Sequence, residues 1–328
     1  MKRAAITGIT GQDGIFLTKA LLKEKYKIIG FTTNAKSERA QRFRKLYPSV
    51  DLFMYSTNNL NVIRDVLKDY KPTEIYNLAG LSSVHASNNF PELTYETNAI
   101  FPMKLIEIFY KLKIQNQIRF YQASSSEMFG NSNEIYQNEE TRIEPISEYG
   151  KSKSIAHNYC LEQRKSGLFI SCGILFNHES EFRGENFVSK KICKSIAEIT
   201  MGKREKLTIG NIAPSRDWGY AGDYASAIWK MTNYDYPTDF VVATGVSRSI
   251  KNFIETALGV AGLDIDVNRV IIQDNKLFRP IDIIYSRGDA SKAKILLNWK
   301  PKTSFENMVS KMYQHELKKL MVDEPYSL

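Results

Sequence analysis

The chain has 328 residues, 43% of them hydrophobic and 25% charged, enough for one large or two modest domains with a substantial core. Its formal net charge is +9, but the cations are interleaved with acids along helical stretches and no recognition module is present, which argues against nucleic acid as a partner. No apolar run approaches the ~20 residues of a membrane span, and the start MKRAAITGIT reads as a strand, so we expect neither a membrane partner nor a targeting segment.

Taken in order, strand-like runs alternate with helical periodicity. RAAITG is a strand and GIFLTKALLKEK a helix, followed by strand YKIIGFTT and helix ERAQRFRKLY. Strand VDLFMYS precedes helix NVIRDVLKDY, and strand TEIYNLAG precedes one long helix, PELTYETNAIFPMKLIEIFYKL. Then come strand QIRFYQASS, helix YGKSKSIAHNYCLEQRKS and strand FISCGILFN. This alternation predicts βαβ units, hence an α/β fold of the Rossmann type: a doubly wound parallel sheet covered by helices on both faces. Beyond about residue 175 the pattern loosens. RGENFVSKKICKSIAEITMGK and DWGYAGDYASAIWKMTN read as helices, DFVVATG as a strand, and SIKNFIETALGVAG, ASKAKILLNWKP and SFENMVSKMYQHELKKLM as further helices. We therefore expect a dinucleotide-binding domain with the catalytic residues over 1–175, and over 176–328 a smaller lobe, some segments of which return to the first domain.

The first βα turn carries Gly8, Gly11 and Gly14, with Gln12 and Asp13 between them. Glycines there let backbone approach a pyrophosphate that the helix N-terminus favours electrostatically. After the second strand no acid stands where an NAD ribose would be held. Thr33, Asn34 and Lys36 follow, with Arg39 and Arg42 beyond, which leans towards NADP and leaves NAD open. The three cysteines, Cys160, Cys172 and Cys193, have no CxxC spacing, so we expect reduced thiols in a cytoplasmic protein. The four histidines show no metal-ligand spacing, and we expect no metal; His157 and His315 read as structural, and His85 has no assigned role.

EYGKSK places Tyr149 and Lys153 four apart on one helical face. An ammonium near a phenol lowers the phenol's pKa, so Tyr149 is expected to exchange protons near neutral pH. In ASSSEMFG, after the fifth strand, Ser125 supplies a hydroxyl and Glu127 a carboxylate. A reductase or epimerase needs only the serine, tyrosine and lysine, whereas an elimination needs a further acid/base; taken alone, Glu127 reads as a solvated loop carboxylate or a helix-capping acid.

Joined together, GITGQDG, KPTEIYNLA, FYQASSSEMFG, YGKSK, GILFNHES, RGENFVSKKI, GNIAPSRDWGYAGDY, FRP and SKAKILLNWKP resemble the GDP-mannose 4,6-dehydratase family of extended short-chain dehydrogenase/reductases almost end to end. The resemblance implies that Ser125, Glu127, Tyr149 and Lys153 are catalytic. It implies that Leu78, Ala79, Gly80, Ser82, His178 and Arg183 join Ser56, Thr57 and the glycine loop in holding the cofactor. It places Asn177, Lys191, Arg216, Arg279 and Asp282, with Ser125 and Glu127, against a GDP-sugar, and it implies a homodimer or homotetramer. Ser126 stands where the related dTDP-glucose dehydratases carry Asp.

The chain departs from the family pattern in three places. Thr33 and Asn34 replace paired arginines; Tyr55, Ser56 and Thr57 replace a Gly-Asp-Leu adenine segment; and the stretch before FRP is shortened, which leaves hexose and heptose both open. A nucleotide-sugar reductase or epimerase is the alternative enzyme, and a non-catalytic RNA-binding or dinucleotide-sensing module the remote one.

Overall fold

The computed structural model describes residues 2–278 and 281–322. Strand β1 (Arg3–Thr7), helix α1 (Gln12–Lys23), β2 (Lys27–Thr32), α2 (Glu38–Leu46), β3 (Asp51–Met54), α3 (Asn61–Tyr70) and β4 (Glu74–Asn77) build the first half of a parallel sheet. Short helices α4 (Val84–Asn89) and α5 (Pro91–Tyr95) lead through a π turn into α6 (Phe101–Lys111). Then β5 (Arg119–Ser125), α7 (Glu148–Lys165) and β6 (Phe169–Leu175) extend the sheet. Apolar side chains of these strands are buried on both faces, as expected for a parallel sheet covered by helices.

The later part of the chain weaves in and out of that core. It contains β7 (Asn177–Glu179), α8 (Val188–Thr200), β8 (Leu207–Ile209), β9 (Ser215–Tyr220), α9 (Ala221–Thr232) and β10 (Asp239–Val242). After these come β11 (Ser247–Ser249), α10 (Ile250–Val260), α11 (Val267–Val270), β12 (Ile271–Gln273), α12 (Ser291–Leu297) and α13 (Phe305–Val322). The main sheet has seven strands in the order β10-β6-β5-β4-β1-β2-β3, so its edge is closed by a strand from the second half. Tyr224, Ile228 and Met231 of α9 share the core of α1 and β1. A separate core gathers α8, α10 and α13 around Trp218 and Phe253.

Two local readings are corrected. The run DWGY, read as the start of a helix, lies in β9, which pairs with both β7 and β11; α9 begins only at Ala221. Strand pairing on two sides outweighs the helical periodicity of a short aromatic run. The long helix expected over 91–112 is interrupted by the π turn Glu96–Ile100. Pro102 has no amide hydrogen to give the carbonyl of Asn98, and the backbone widens there.

Candidate active site

The site lies at the carboxyl ends of β1, β4, β5 and β6, where ligands of open α/β sheets bind. At the end of β1, Gly8 has φ of +68°, and a Cβ there would stand 2.7 Å from the amide nitrogen of Ala79. A Cβ on Gly14 would stand 2.2 Å from the carbonyl oxygen of Ile9. Only glycine lets this turn close so tightly while the N-terminus of α1 stays open towards a ligand.

Gln12 and Asp13 turn their side chains towards β7. Gln12 donates to the His178 carbonyl (2.9 Å) and accepts from the Ser180 hydroxyl (2.7 Å). Asp13 meets His178 Nε2 at 3.0 Å, while His178 Nδ1 faces the Phe176 carbonyl at 2.7 Å. Burial opposes both charges, but their mutual attraction prevails: Asp13 is held below its usual range and His178 above its own. Arg183 forms an ion pair with the buried Glu179 at 2.9 Å and lies 3.6 Å over the ring of Phe187.

On the far side of the sheet, a pocket of about 450 Å³ is lined by Thr33, Met54, Tyr55, Ser56, Thr57 and Val62. Asn34 and Lys36 are exposed at its edge of the fold. Arg42 stacks over Phe182 at 5.2 Å, and Arg39 reaches Gly184, so these two of the three arginines of α2 lean towards the loop bearing Arg183. Leu78 and Ala79 follow β4 against Thr7, and Ser82 is exposed.

Ser125 ends β5, and a 3-10 turn, Ser126–Phe129, carries Glu127. The Ser125 hydroxyl accepts from the Glu127 amide at 3.2 Å and lies beside the Tyr149 phenol. Ser147 caps α7, and a Cβ on Gly150 would come within 2.6 Å of the Glu127 carbonyl oxygen. Gly150 therefore permits the Glu127 turn to sit directly on the helix start; a small residue between Tyr149 and Lys153 was its only trace in sequence. Tyr149 donates its amide to Ser87 (3.2 Å), and Lys153 donates to the carbonyl of Ala123 (2.9 Å).

Asn98, on the π turn, was not among the sequence candidates. Its side chain bridges the backbone of Leu81 and the hydroxyl of Ser152, and it faces Gly80 near the Lys153 ammonium. The Pro102 that widens the helix was the only available signal.

The expectation for the phenol is corrected. Tyr149 is pushed up to about 12, by burial first, with the Ser125 hydrogen bond working the other way. Lys153, 5.9 Å from the Tyr149 ring centroid, is itself pushed down to about 8 by burial. Desolvation of both groups outweighs the phenol–ammonium attraction in the protein alone.

Of the residues assigned to the sugar nucleotide, Asn177 and Lys191 are half-buried at the starts of β7 and α8. Arg216 is buried and pairs with Asp282 at 2.8 Å, so these two meet each other in the fold. Arg279 lies outside the described residues, and His85 is exposed on α4. The fold also brings His157, Cys172 and Asp239 within 4.8 Å of one another, a grouping of possible metal ligands that linear spacing could not reveal. The Arg164 guanidinium already pairs with Asp239 there.

The sequence profile of the family described as GDP-mannose 4,6 dehydratase matches residues 5–312. The chain belongs to this family. It is 40% identical to GDP-mannose 4,6 dehydratase 1 of Arabidopsis thaliana, over 99% of this chain and 94% of that protein. Its fold is similar to that of dTDP-glucose 4,6-dehydratase from Bacillus anthracis, solved with NAD (TM-score 0.83, 21% identity, 98% of each chain). It is also similar to that of RMD from Pseudomonas aeruginosa, solved with NADPH (TM-score 0.78, 21% identity, 97% of this chain and 100% of that one). Both of those structures hold a nicotinamide dinucleotide. The residues present fit one: a glycine turn that a Cβ would fill, an open helix N-terminus, and a pocket beyond β3.

Proposed function

We propose that the chain is a hydro-lyase that converts GDP-mannose to its 4-keto-6-deoxy sugar with loss of water. When bound, the nicotinamide dinucleotide supplies a hydride acceptor and donor and, when oxidised, a positive charge. Tyr149 takes the proton of the sugar's C4 hydroxyl as C4 becomes a ketone, and Ser125 hydrogen-bonds the same oxygen. Lys153 lies under Tyr149 and stabilises the phenolate that this transfer needs. The 4-ketone acidifies the C5 hydrogen; Glu127 removes it and returns a proton to the C6 hydroxyl, which leaves as water. With a hydride returned to C6, C5 would take a proton equivalent to the one Tyr149 removed from the C4 hydroxyl, relayed through water, so the cofactor would not be consumed.

The observation that carries this reading is Glu127 in a turn fixed directly onto Ser125 and the start of α7. Incubation with GDP-mannose and mass detection of the loss of one water tests it, with GDP-heptose run alongside. Glu127→Gln is expected to lower water loss by about 10²–10⁴-fold while reduced cofactor still forms. Water loss at the wild-type rate in this variant overturns the role of Glu127.

Arg39 and Arg42, drawn to the Arg183 loop, support NADP over NAD. Lys191, Arg216 and Arg279 are assigned to the nucleotide diphosphate, Asn177 to the substrate side, and Asp282 to the nucleotide ribose. We assign a homodimer or larger assembly to the outer faces of the α4–α7 region, where Phe90, Leu93, Ile100 and Ile155 are exposed.

A further inference from the structure

Three consecutive residues at the end of β5 are each gripped by one face of α7. Lys153 Nζ donates to the carbonyl of Ala123 at 2.9 Å. His157 Nδ1 meets the Ser124 hydroxyl at 3.0 Å, and the Tyr149 phenol lies beside the Ser125 hydroxyl. Tyr149, Lys153 and His157 recur at four-residue spacing, one turn apart, so they stack on a single helical face. All three are buried, at 8%, 5% and 3% exposure. Two of the three contacts belong to the proton-transfer machinery; the third, from His157, belongs to neither substrate nor cofactor.

The far side of the His157 ring is also built. Its Nε2 lies 3.8 Å from Asp239 on β10, and the ring approaches the Cys172 thiol on β6 within 4.8 Å. Asp239 and Cys172 are paired neighbours in the sheet. Arg164, two turns further along α7, pairs with Asp239 and donates to the Ile170 carbonyl at 2.7 Å. The ring is therefore held from both sides, between the helix that carries the base and the strand that ends in Ser125.

A cation at His157, Cys172 and Asp239 would compete with the Arg164 guanidinium already on Asp239. The Cys172 thiol, hydrogen-bonded to Cys160 and fully buried, is held well above its usual range, which disfavours the thiolate a metal needs. The ring nitrogen facing Ser124 points away from that group. The cluster reads as a brace.

Resting on the dehydratase reading, we propose that His157 is a positioning residue: through Ser124 it sets the register between Ser125 and Tyr149, and so the rate of ketone formation at C4. Misplacement of reacting groups by about 1 Å costs on the order of 10²-fold in rate.

The experiment compares His157→Phe, His157→Asn and Ser124→Ala in the full-length enzyme loaded with cofactor. The Asn amide reaches the place of Nδ1 and can restore the bond to Ser124; Phe cannot. Single-turnover formation of reduced nicotinamide from GDP-mannose is expected to fall about 10–100-fold in His157→Phe and Ser124→Ala, with KM within about twofold, and to recover to within about threefold in His157→Asn. Amide exchange at Glu127, read without substrate, should quicken in the Phe and Ala variants and not in Asn. Ser124→Ala carries the test if the Phe variant does not fold. Unchanged rates and exchange in Ser124→Ala overturn the proposal, as does a loss in Asn equal to that in Phe. An equivalent of zinc that copurifies and vanishes in His157→Asn also overturns it. Failure of the wild type to release water from any nucleotide sugar counts against the dehydratase reading alone, because the exchange measurement still decides whether His157 sets the Ser125–Glu127 turn.

Discussion

Lys153 and Lys190 are both buried, at 5% and 2% exposure, and they are held in opposite ways. Lys190, on α8, pairs with the carboxylate of the equally buried Glu316 on α13 and donates to the Glu181 carbonyl at 3.1 Å. Lys153 donates to one carbonyl, that of Ala123, and the nearest compensating charge acting on it is the more distant Asp13. A buried cation with a matched carboxylate joins two helices. One without such a partner is poised to lose its proton, and burial holds it at about 8. The difference separates a region built for cohesion from one whose charge is left available for chemistry.

Removing the Lys153 charge sharpens the comparison most. Lys153→Met is expected to lower the rate of reduced-cofactor formation by about 10²–10⁴-fold, while thermal denaturation shows a midpoint no lower than that of the wild type. A clear loss of thermal stability would mean that Lys153, like Lys190, is structural. Lys190→Met is the mirror experiment. It leaves Glu316 buried without its close partner and should cost about 3–5 kcal/mol in denaturant unfolding, with kcat per folded molecule unchanged. Adding Glu316→Leu should restore much of that loss; failure to do so would show that packing rather than charge holds α8 to α13.

The smallest effect is in pH dependence. The folded pKa of Lys153 lies near 8, below its ordinary 10.5, so the unfolded chain binds more protons between those values. The penalty for burying this cation is therefore fully present below about pH 8 and relieved as pH rises towards 10.5. Unfolding free energy across that window should rise more steeply for the wild type than for Lys153→Met. Identical slopes would place a compensating carboxylate on Lys153 after all.

The same contrast shows how much of the site was legible in sequence. The glycine turn, the Tyr149–Lys153 pair and the Ser125–Glu127 spacing are short-range patterns, and the fold places all of them at one sheet edge. The mate of Lys190 lies at Glu316, the partner of His157 at Ser124, and Asn98 reaches Leu81 and Ser152 only because a π turn rotates it inwards. None of these has a local signature. The phenol of Tyr149 is a further case: spacing announced a cation nearby but could not weigh it against burial.

What the sequence by itself determined is the alternation of strands and helices up to β6 and the glycine turn between β1 and α1, because each depends on residues close in the chain. The tertiary structure alone decided that β10 closes the sheet, that Arg216 meets Asp282, and that α7 and β5 grip one another at three successive residues. It also decided the direction in which burial moves these groups, the Tyr149 phenol up and the Lys153 ammonium down. These depend on desolvation and on partners distant in sequence, quantities that exist only once the chain has packed.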